Sequence, residues 1–305
     1  MNGISVIIPY YNRMDYFKDM LDSLLGLVVK PDEIILVNNN ASSQMVAMAE
    51  QFKAKMAEIC NVILMDSISP GACAARNAGL NRASSDFVYF FDSDDIMSAD
   101  FIERVKKEIS RQELDMYVFV TTIRKNDGST HVRNYGASKY PWYQIITPFL
   151  TTQSVVVRKM YFQQTGGWDE SLHYWNDWEL GVRLLTNKPQ MLYFQDKSYH
   201  IIHSHPNSIT GRSLSERFDE INIAIDKVYH DIQDRKSINA LYFRKSIIAG
   251  KIKAEGNGLL GMRLKKKSYP EKQSTLNRII SFALYHYSAL GLPGAWRIAA
   301  KILSC

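Results

Sequence analysis

The sequence predicts an α/β protein: a mostly parallel, Rossmann-like sheet flanked by helices, followed by a helical C-terminal extension. Three observations carry this expectation. Short apolar runs at Ile4–Pro9, Glu33–Val37, Val62–Met65 and Asp86–Phe91 are separated by longer segments of helical periodicity. The runs are apolar along their length instead of alternating, as strands buried on both faces are. After His205-Pro206 the strand-like runs cease and only helical patterns follow.

Taken in order, Ile4–Pro9 is β-branched and apolar, a strand. Tyr16, Phe17, Met20, Leu21, Leu24 and Leu25 then recur on one helical face. Glu33–Val37 reads as a strand, Gln44–Ile59 as a helix, Val62–Met65 as a strand, Gly71–Ala83 as a helix and Asp86–Phe91 as an aromatic-rich strand. A helix over Ala99–Ser110 follows, with Ser98 or Asp95 as its cap if the preceding acidic turn is structural. Beyond it, Met116–Ile123 and Thr130–Arg133 flank Asn126-Asp127-Gly128-Ser129, a hairpin signal. The pattern continues with an apolar run at Val155–Val157, a helix near Asp177–Leu185 and a strand near Met191–Gln195. Phe218, Ile221, Ile225, Val228 and Ile232 form one stripe of a later helix.

With 46% hydrophobic and 22% charged residues, the chain is neither disordered nor a coiled coil. Its three cysteines, Cys60, Cys73 and Cys305, have no paired spacing, so a disulfide framework and a Cys-rich zinc module are excluded. They fit a reducing compartment. The opening residues lack the basic and long apolar regions of a signal peptide, so a cytoplasmic location is expected. The net charge of +6 sits in the tail: residues 261–305 hold eight Lys and Arg against one Glu, and the body is near neutral. That distribution disfavours a nucleic-acid binder and favours one end that seeks an anionic surface.

Ligands of such sheets bind beyond the carboxyl ends of the strands. The residues there are Tyr10-Tyr11-Asn12-Arg13, Asn38-Asn39-Asn40 and Asp92-Ser93-Asp94-Asp95. Three carboxylates in four residues repel one another unless solvated, protonated or neutralised by a cation. Hard oxygens of this kind suit Mg²⁺ or Mn²⁺; an Asx turn leading into a helix cap is the structural alternative. No G-x-G-x-x-G follows the first strand, which disfavours a dehydrogenase, and no Gly-rich, Lys-containing phosphate loop follows it, which disfavours a nucleotidyltransferase.

Ser5-Val6-Ile7-Ile8-Pro9-Tyr10-Tyr11-Asn12-Arg13 resembles the opening strand of the GT-A glycosyltransferases of family 2. Pro70-Gly71-Ala72-Cys73-Ala74-Ala75-Arg76-Asn77-Ala78-Gly79-Leu80 is similar to that family's Gly…Ala-Arg-Asn-x-Gly segment, and Phe90-Phe91-Asp92-Ser93-Asp94-Asp95 to its Asp-x-Asp motif. Gly166-Gly167-Trp168-Asp169-Glu170 and Asn176-Asp177-Trp178-Glu179-Leu180 resemble its Gly-Gly-Phe-Asp-Glu…Glu-Asp-x-Asp-Leu segment. His205-Pro206-Asn207-Ser208-Ile209-Thr210 resembles its late His-x-x-Ser segment. The likeness covers about residues 4–210.

The resemblance implies a metal-dependent, inverting transfer of sugar from a nucleotide-diphosphate sugar to a hydroxyl of a glycan or lipid-linked acceptor, in cell-surface polysaccharide synthesis. Asp94 would hold Mn²⁺ or Mg²⁺ on the diphosphate, with His205 as a further ligand or phosphate contact; His203 is a weaker candidate, standing where the family usually has Arg. Asp177 matches the catalytic base. Pro9, Tyr10, Tyr11, Asn39, Arg76, Asp92 and Ser93 would bind the nucleotide, and Trp168 and Trp175 either stack on the acceptor or pack in the core. This chain departs from the family at Asn38-Asn39-Asn40-Ala41, where acidic residues are usual, and at Asn176, where Glu is usual. The alternative is a catalytically silent nucleotide-sugar or glycan-binding module, which would be expected to lose Asp94 or Asp177.

The expected domains are a catalytic domain over 1–213 and a basic, amphipathic helical extension over 214–305. Ile279–Trp296 carries no formal charge, but Gly291, Pro293 and Gly294 interrupt it. Two short helices are therefore expected in place of a span, either at the inner face of a membrane or as a cap on the domain or on a homodimer partner.

Overall fold

The computed structural model describes residues 3–134, 136–204, 213–267, 269 and 273–304. Strands β1 (Ile4–Tyr10), β2 (Glu33–Asn38), β3 (Asn61–Asp66) and β4 (Phe87–Phe90) alternate with helices α1 (Met14–Leu25), α2 (Ser43–Met56) and α3 (Ala72–Arg82), as the hydrophobic patterning requires. There follow β5 (Ile96–Met97), α4 (Phe101–Arg111), β6 (Met116–Phe119), β7 (Thr121–Arg124), β8 (Thr130–Arg133) and α5 (Pro141–Ile146). A 3-10 turn at Thr152–Ser154 leads to β9 (Val155–Arg158), α6 (Lys159–Gln164), α7 (Asn176–Thr186), β10 (Met191–Phe194) and β11 (His200–His203). The remaining elements are helices: α8 (Phe218–Asp231), α9 (Arg235–Ala254), α10 (Gly258–Lys266), α11 (Thr275–Ala289) and α12 (Ala295–Ser304). None of the described helices is long and apolar enough to cross a membrane.

The large sheet has the order β10-β6-β9-β4-β1-β2-β3. β1 runs parallel to both β2 and β4, β2 to β3, and β6 to β10, while β9 is antiparallel between β4 and β6. Chain order therefore reverses at β1, which makes the gap between the ends of β1 and β4 the topological switch point. The predicted face of α1 buries Phe17, Met20, Leu21 and Leu24, each stabilising the fold by about 1.5–3 kcal/mol. Helix α3 approaches β1 so closely that a Cβ at Gly79 would stand 2.4 Å from the Ile7 side chain.

Three local expectations need correction. The apolar run Met116–Ile123 splits at Val120: β6 joins the large sheet, and β7 joins a second sheet of order β5-β11-β7-β8. The hairpin turn between β7 and β8 forms as expected. Strand β11 was not anticipated, because four residues with His at both ends carry little strand signal. Neither Ser98 nor Asp95 caps α4; Asp100 occupies the cap position and accepts a hydrogen bond from the Ser98 hydroxyl at 2.6 Å.

The chain packs as two units and does not divide at one point. The first comprises Met1–Asn134, Leu150–His173 and Pro189–His205 and contains both sheets. The second comprises Tyr135–Phe149, Tyr174–Lys188 and Pro206–Cys305, so α5 and α7 pack with the late helices. Within it α9 is the central helix, buried on most sides, with Phe243, Ile247, Ile248 and Ile252 in its core. The stripe predicted around Phe218, Ile221, Ile225 and Val228 is the buried face of α8.

Candidate active site

Parallel pairing brings the loops after β1, β2, β3 and β4 to one edge of the first unit. At the switch point Asp92, Asp94 and Asp95 each offer a carboxylate oxygen, and these atoms lie within 4.8 Å of one another. The aspartates are held by side chains from distant parts of the chain. Arg76 donates to Asp92 at 2.6 Å, and Arg13 forms an ion pair with Asp94. Gln153, buried in the 3-10 turn, donates to both Asp92 and Asp95 at 2.5 Å. Asp95 also accepts the backbone N–H of His203 at 3.0 Å. Burial, and then the charges of Asp94 and Asp92, push the Asp95 carboxyl well above its usual range, against the pull of those hydrogen bonds. Ser93 sits between them, half-buried.

His203, the weaker candidate, touches the acidic turn. Its Nδ1 lies 2.7 Å from the Asp94 carbonyl and its ring lies against Tyr16, so it fixes the acidic turn from β11. His205, the expected extra ligand, lies outside the described residues, as does the segment through Thr210.

Arg76 is aimed by its surroundings. It is buried, with its guanidinium 4.5 Å from the centre of the Trp168 ring. Trp168 is itself buried and meets Phe90 edge-on, so its ring is committed to packing. Asn77, next to Arg76, donates to the Trp168 carbonyl at 2.8 Å and accepts the Trp168 N–H at 3.0 Å. Gly167 makes that clasp feasible: its φ is +66°, and a Cβ would stand 3.0 Å from the Asn77 amide oxygen. The Ala-Arg-Asn and Gly-Gly-Trp segments are thus two halves of one clasp.

The expected nucleotide residues line the same edge with different exposures. Pro9 and Tyr10 are buried, Tyr10 stacking on Phe17 at 5.1 Å, and burial pushes its hydroxyl up to about 12. Tyr11 is 53% exposed. Asn39 accepts the Gly71 N–H at 3.1 Å, which ties the β2 turn to the start of α3. Asn38 donates to Asp66 at 2.7 Å. The sequence reading missed Asp66, although inspecting the end of the third strand as well would have found it. Gln153 gave no such signal, since its partners are far away in sequence.

In the second unit Asp177 lies in the first turn of α7, where the helix dipole favours a carboxylate, and accepts the Trp178 N–H at 2.8 Å. Trp175, just before the helix, adopts a left-handed conformation with φ +59°. The buried Arg244 guanidinium lies 4.5 Å from the ring centres of Trp175 and Trp178 and 5.0 Å from that of Trp296, and donates to the Ile145 carbonyl at 2.8 Å.

The carboxylates and arginines cluster at the switch point of an open α/β sheet, where such folds bind their ligands. The model of glycosyl transferase family 2 matches residues 5–166, more than half of the chain, and the chain belongs to that family. It is 25% identical over 194 residues to the uncharacterized glycosyltransferase EpsJ of Bacillus subtilis, covering 63% of this chain and 52% of that protein. It spans only 16% of a second relative, the pneumococcal glycosyltransferase GlyA. Among solved structures, S. aureus TarS in complex with UDP-GlcNAc superposes with a TM-score of 0.60 at 16% identity, over 98% of this chain and 90% of that chain. The mannosyltransferase PcManGT of Pyrobaculum calidifontis, in complex with GDP-Man and Mn²⁺, gives 0.60 at 13% identity, over 98% and 86%. These likenesses show a shared GT-A fold.

Proposed function

We propose that this chain transfers a sugar from a nucleotide-diphosphate sugar to a hydroxyl of a glycan or lipid-linked acceptor, with inversion at the anomeric carbon, in cell-surface polysaccharide synthesis. The observation that carries this reading is the trio Asp92, Asp94 and Asp95 at the switch point, braced by Arg76 and Gln153. The trio's hard carboxylate oxygens fit a divalent cation such as Mn²⁺ or Mg²⁺, with Asp94 as a ligand, the His205 imidazole as a further one, and Asp92 at the ribose or in the ion's outer shell. When bound, that ion supplies Lewis-acid stabilisation of a diphosphate leaving group.

The chain's own residues do the rest. Pro9 and Tyr10 form a buried floor for the nucleotide, Tyr11 and Asn39 flank it, and Ser93 presents a hydroxyl beside Asp92. Arg76, held by Trp168, keeps the Asp92 carboxylate in one orientation. Asp177 accepts the proton of the acceptor hydroxyl as its oxygen attacks the face opposite the leaving group. Trp175, half-buried, offers a ring to the acceptor, whereas Trp168 packs inward.

A panel of UDP-, GDP- and dTDP-sugars, with and without Mn²⁺, tests the reading by binding and by turnover. Asp177→Asn should keep nucleotide affinity and lose transfer by on the order of 10²–10⁴-fold. Undiminished transfer would assign the base elsewhere, and binding without any turnover in the wild type would establish the silent binding module.

A further inference from the structure

Helix α11 has two faces of different fate. Leu284, Tyr285 and Ser288 are buried on the side packed against α9, where the Tyr285 carbonyl would stand 2.3 Å from a Cβ at Gly250. On the opposite side Leu276, Ile279 and Phe282 are 65%, 61% and 58% exposed. Leu290 and Leu292 in the connection are also exposed, and on α12 Ala295, Ala299 and Leu303 face inward while Ile298 and Ile302 are exposed. One large, exposed apolar residue on a helix is unremarkable; seven of them within residues 276–302 mark an interaction surface.

Charge selects the occupant. Residues 273–304 contain Arg278, Arg297 and Lys301 and no acidic residue. Arg297 and Lys301 each precede an outward isoleucine, so cations border the apolar ridge of α12. Lys265 of α10 adds a further charge, with its ammonium 4.9 Å from the centre of the Phe282 ring. A second copy meeting this face by two-fold symmetry would set those cations against themselves. A surface of anionic lipid headgroups over hydrocarbon satisfies both the apolar row and its basic border.

We propose that the outer faces of α11 and α12 form a docking surface for an anionic lipid bilayer, with Ile279, Phe282, Ile298 and Ile302 entering the interface and Arg278, Arg297 and Lys301 engaging headgroups. The surface acts without donor or acceptor, so its test is separate from that of sugar transfer.

The experiment is flotation of the full chain with phosphatidylcholine vesicles and with vesicles about one-third phosphatidylglycerol, at low and high salt. The partition coefficient should rise on the order of tenfold or more on the anionic vesicles and fall with salt. Arg297→Gln with Lys301→Gln should reduce it about tenfold or more. Ile279→Ser with Phe282→Ser should abolish it; as exposed residues, they should leave the thermal unfolding transition in place. Equal flotation on both vesicle types, or none on either, would overturn the proposal. So would a concentration-dependent dimer that the Ile279→Ser, Phe282→Ser variant dissolves, since the occupant would then be a second copy.

Discussion

Asp94→Asn should reverse its effect on stability when a divalent cation is added. In the acidic trio, two full charges no more than 4.8 Å apart repel by at least about 3 kcal/mol at an effective dielectric of ~20. Asp92 and Asp94 side chains are 29% and 18% exposed, so solvent reduces this to about 2 kcal/mol for their pair. Asp95, held toward its protonated form by burial, adds less. Neutralising residue 94 removes that repulsion and also the Arg13 ion pair, a part-exposed contact contributing about 1 kcal/mol. In chelator the variant should therefore be more stable by about 1 kcal/mol, a rise of about 2–4 °C. At a cation concentration about 100 times the wild-type Kd, the wild type gains about 2.7 kcal/mol. A variant binding a hundredfold more weakly gains about 0.4 kcal/mol, and the order inverts. Differential scanning fluorimetry with EDTA and with Mn²⁺ reads both states. A variant less stable than wild type in EDTA, or one that Mn²⁺ stabilises equally, would refute the reasoning.

Three other substitutions probe packing within the two units. Gly250→Ala should force α9 and α11 apart and cost about 1–3 kcal/mol or more, seen as a lower midpoint in denaturant, because its Cβ would meet the Tyr285 carbonyl at 2.3 Å. His200 is buried among Phe91, Phe101 and Tyr89, neither ring nitrogen has a hydrogen-bond partner among the described residues, and burial lowers its pKa to about 3. Because the folded pKa lies below the ordinary 6.5, the wild type loses stability as pH falls from there toward 3; His200→Phe should lessen that acid loss and raise stability at neutral pH by about 1 kcal/mol, checked by thermal melts across pH. Asp231 is raised to about 6, first by burial and then by Glu179. Its folded pKa exceeds the ordinary 3.8, so its contribution is present below pH 3.8 and lost as pH rises through 6; Asp231→Asn should flatten that segment of the stability–pH curve.

The sequence by itself determined the parallel α/β frame, because apolar runs and helical stripes are local properties of contiguous residues. It also placed residues on one edge: once strands are parallel, residues after their ends come together there, and the positions of Asp92, Asp94, Asn39 and Tyr11 needed no further information. The pairing of Asn77 with Gly167 and Trp168 was present as two motifs but not as one clasp. Only the tertiary structure showed that Gln153 braces two of the aspartates, that His203 clamps their turn, and that Asp66 answers the uncharged Asn38. It likewise decided that Trp168 is spent on Arg76, that β11 exists, and which side of α11 is left outside. Each depends on groups tens to more than a hundred residues apart, or on short elements whose stability comes from neighbours and not from their own propensity. Periodicity can say that a helix has two faces; what covers each face is settled by packing.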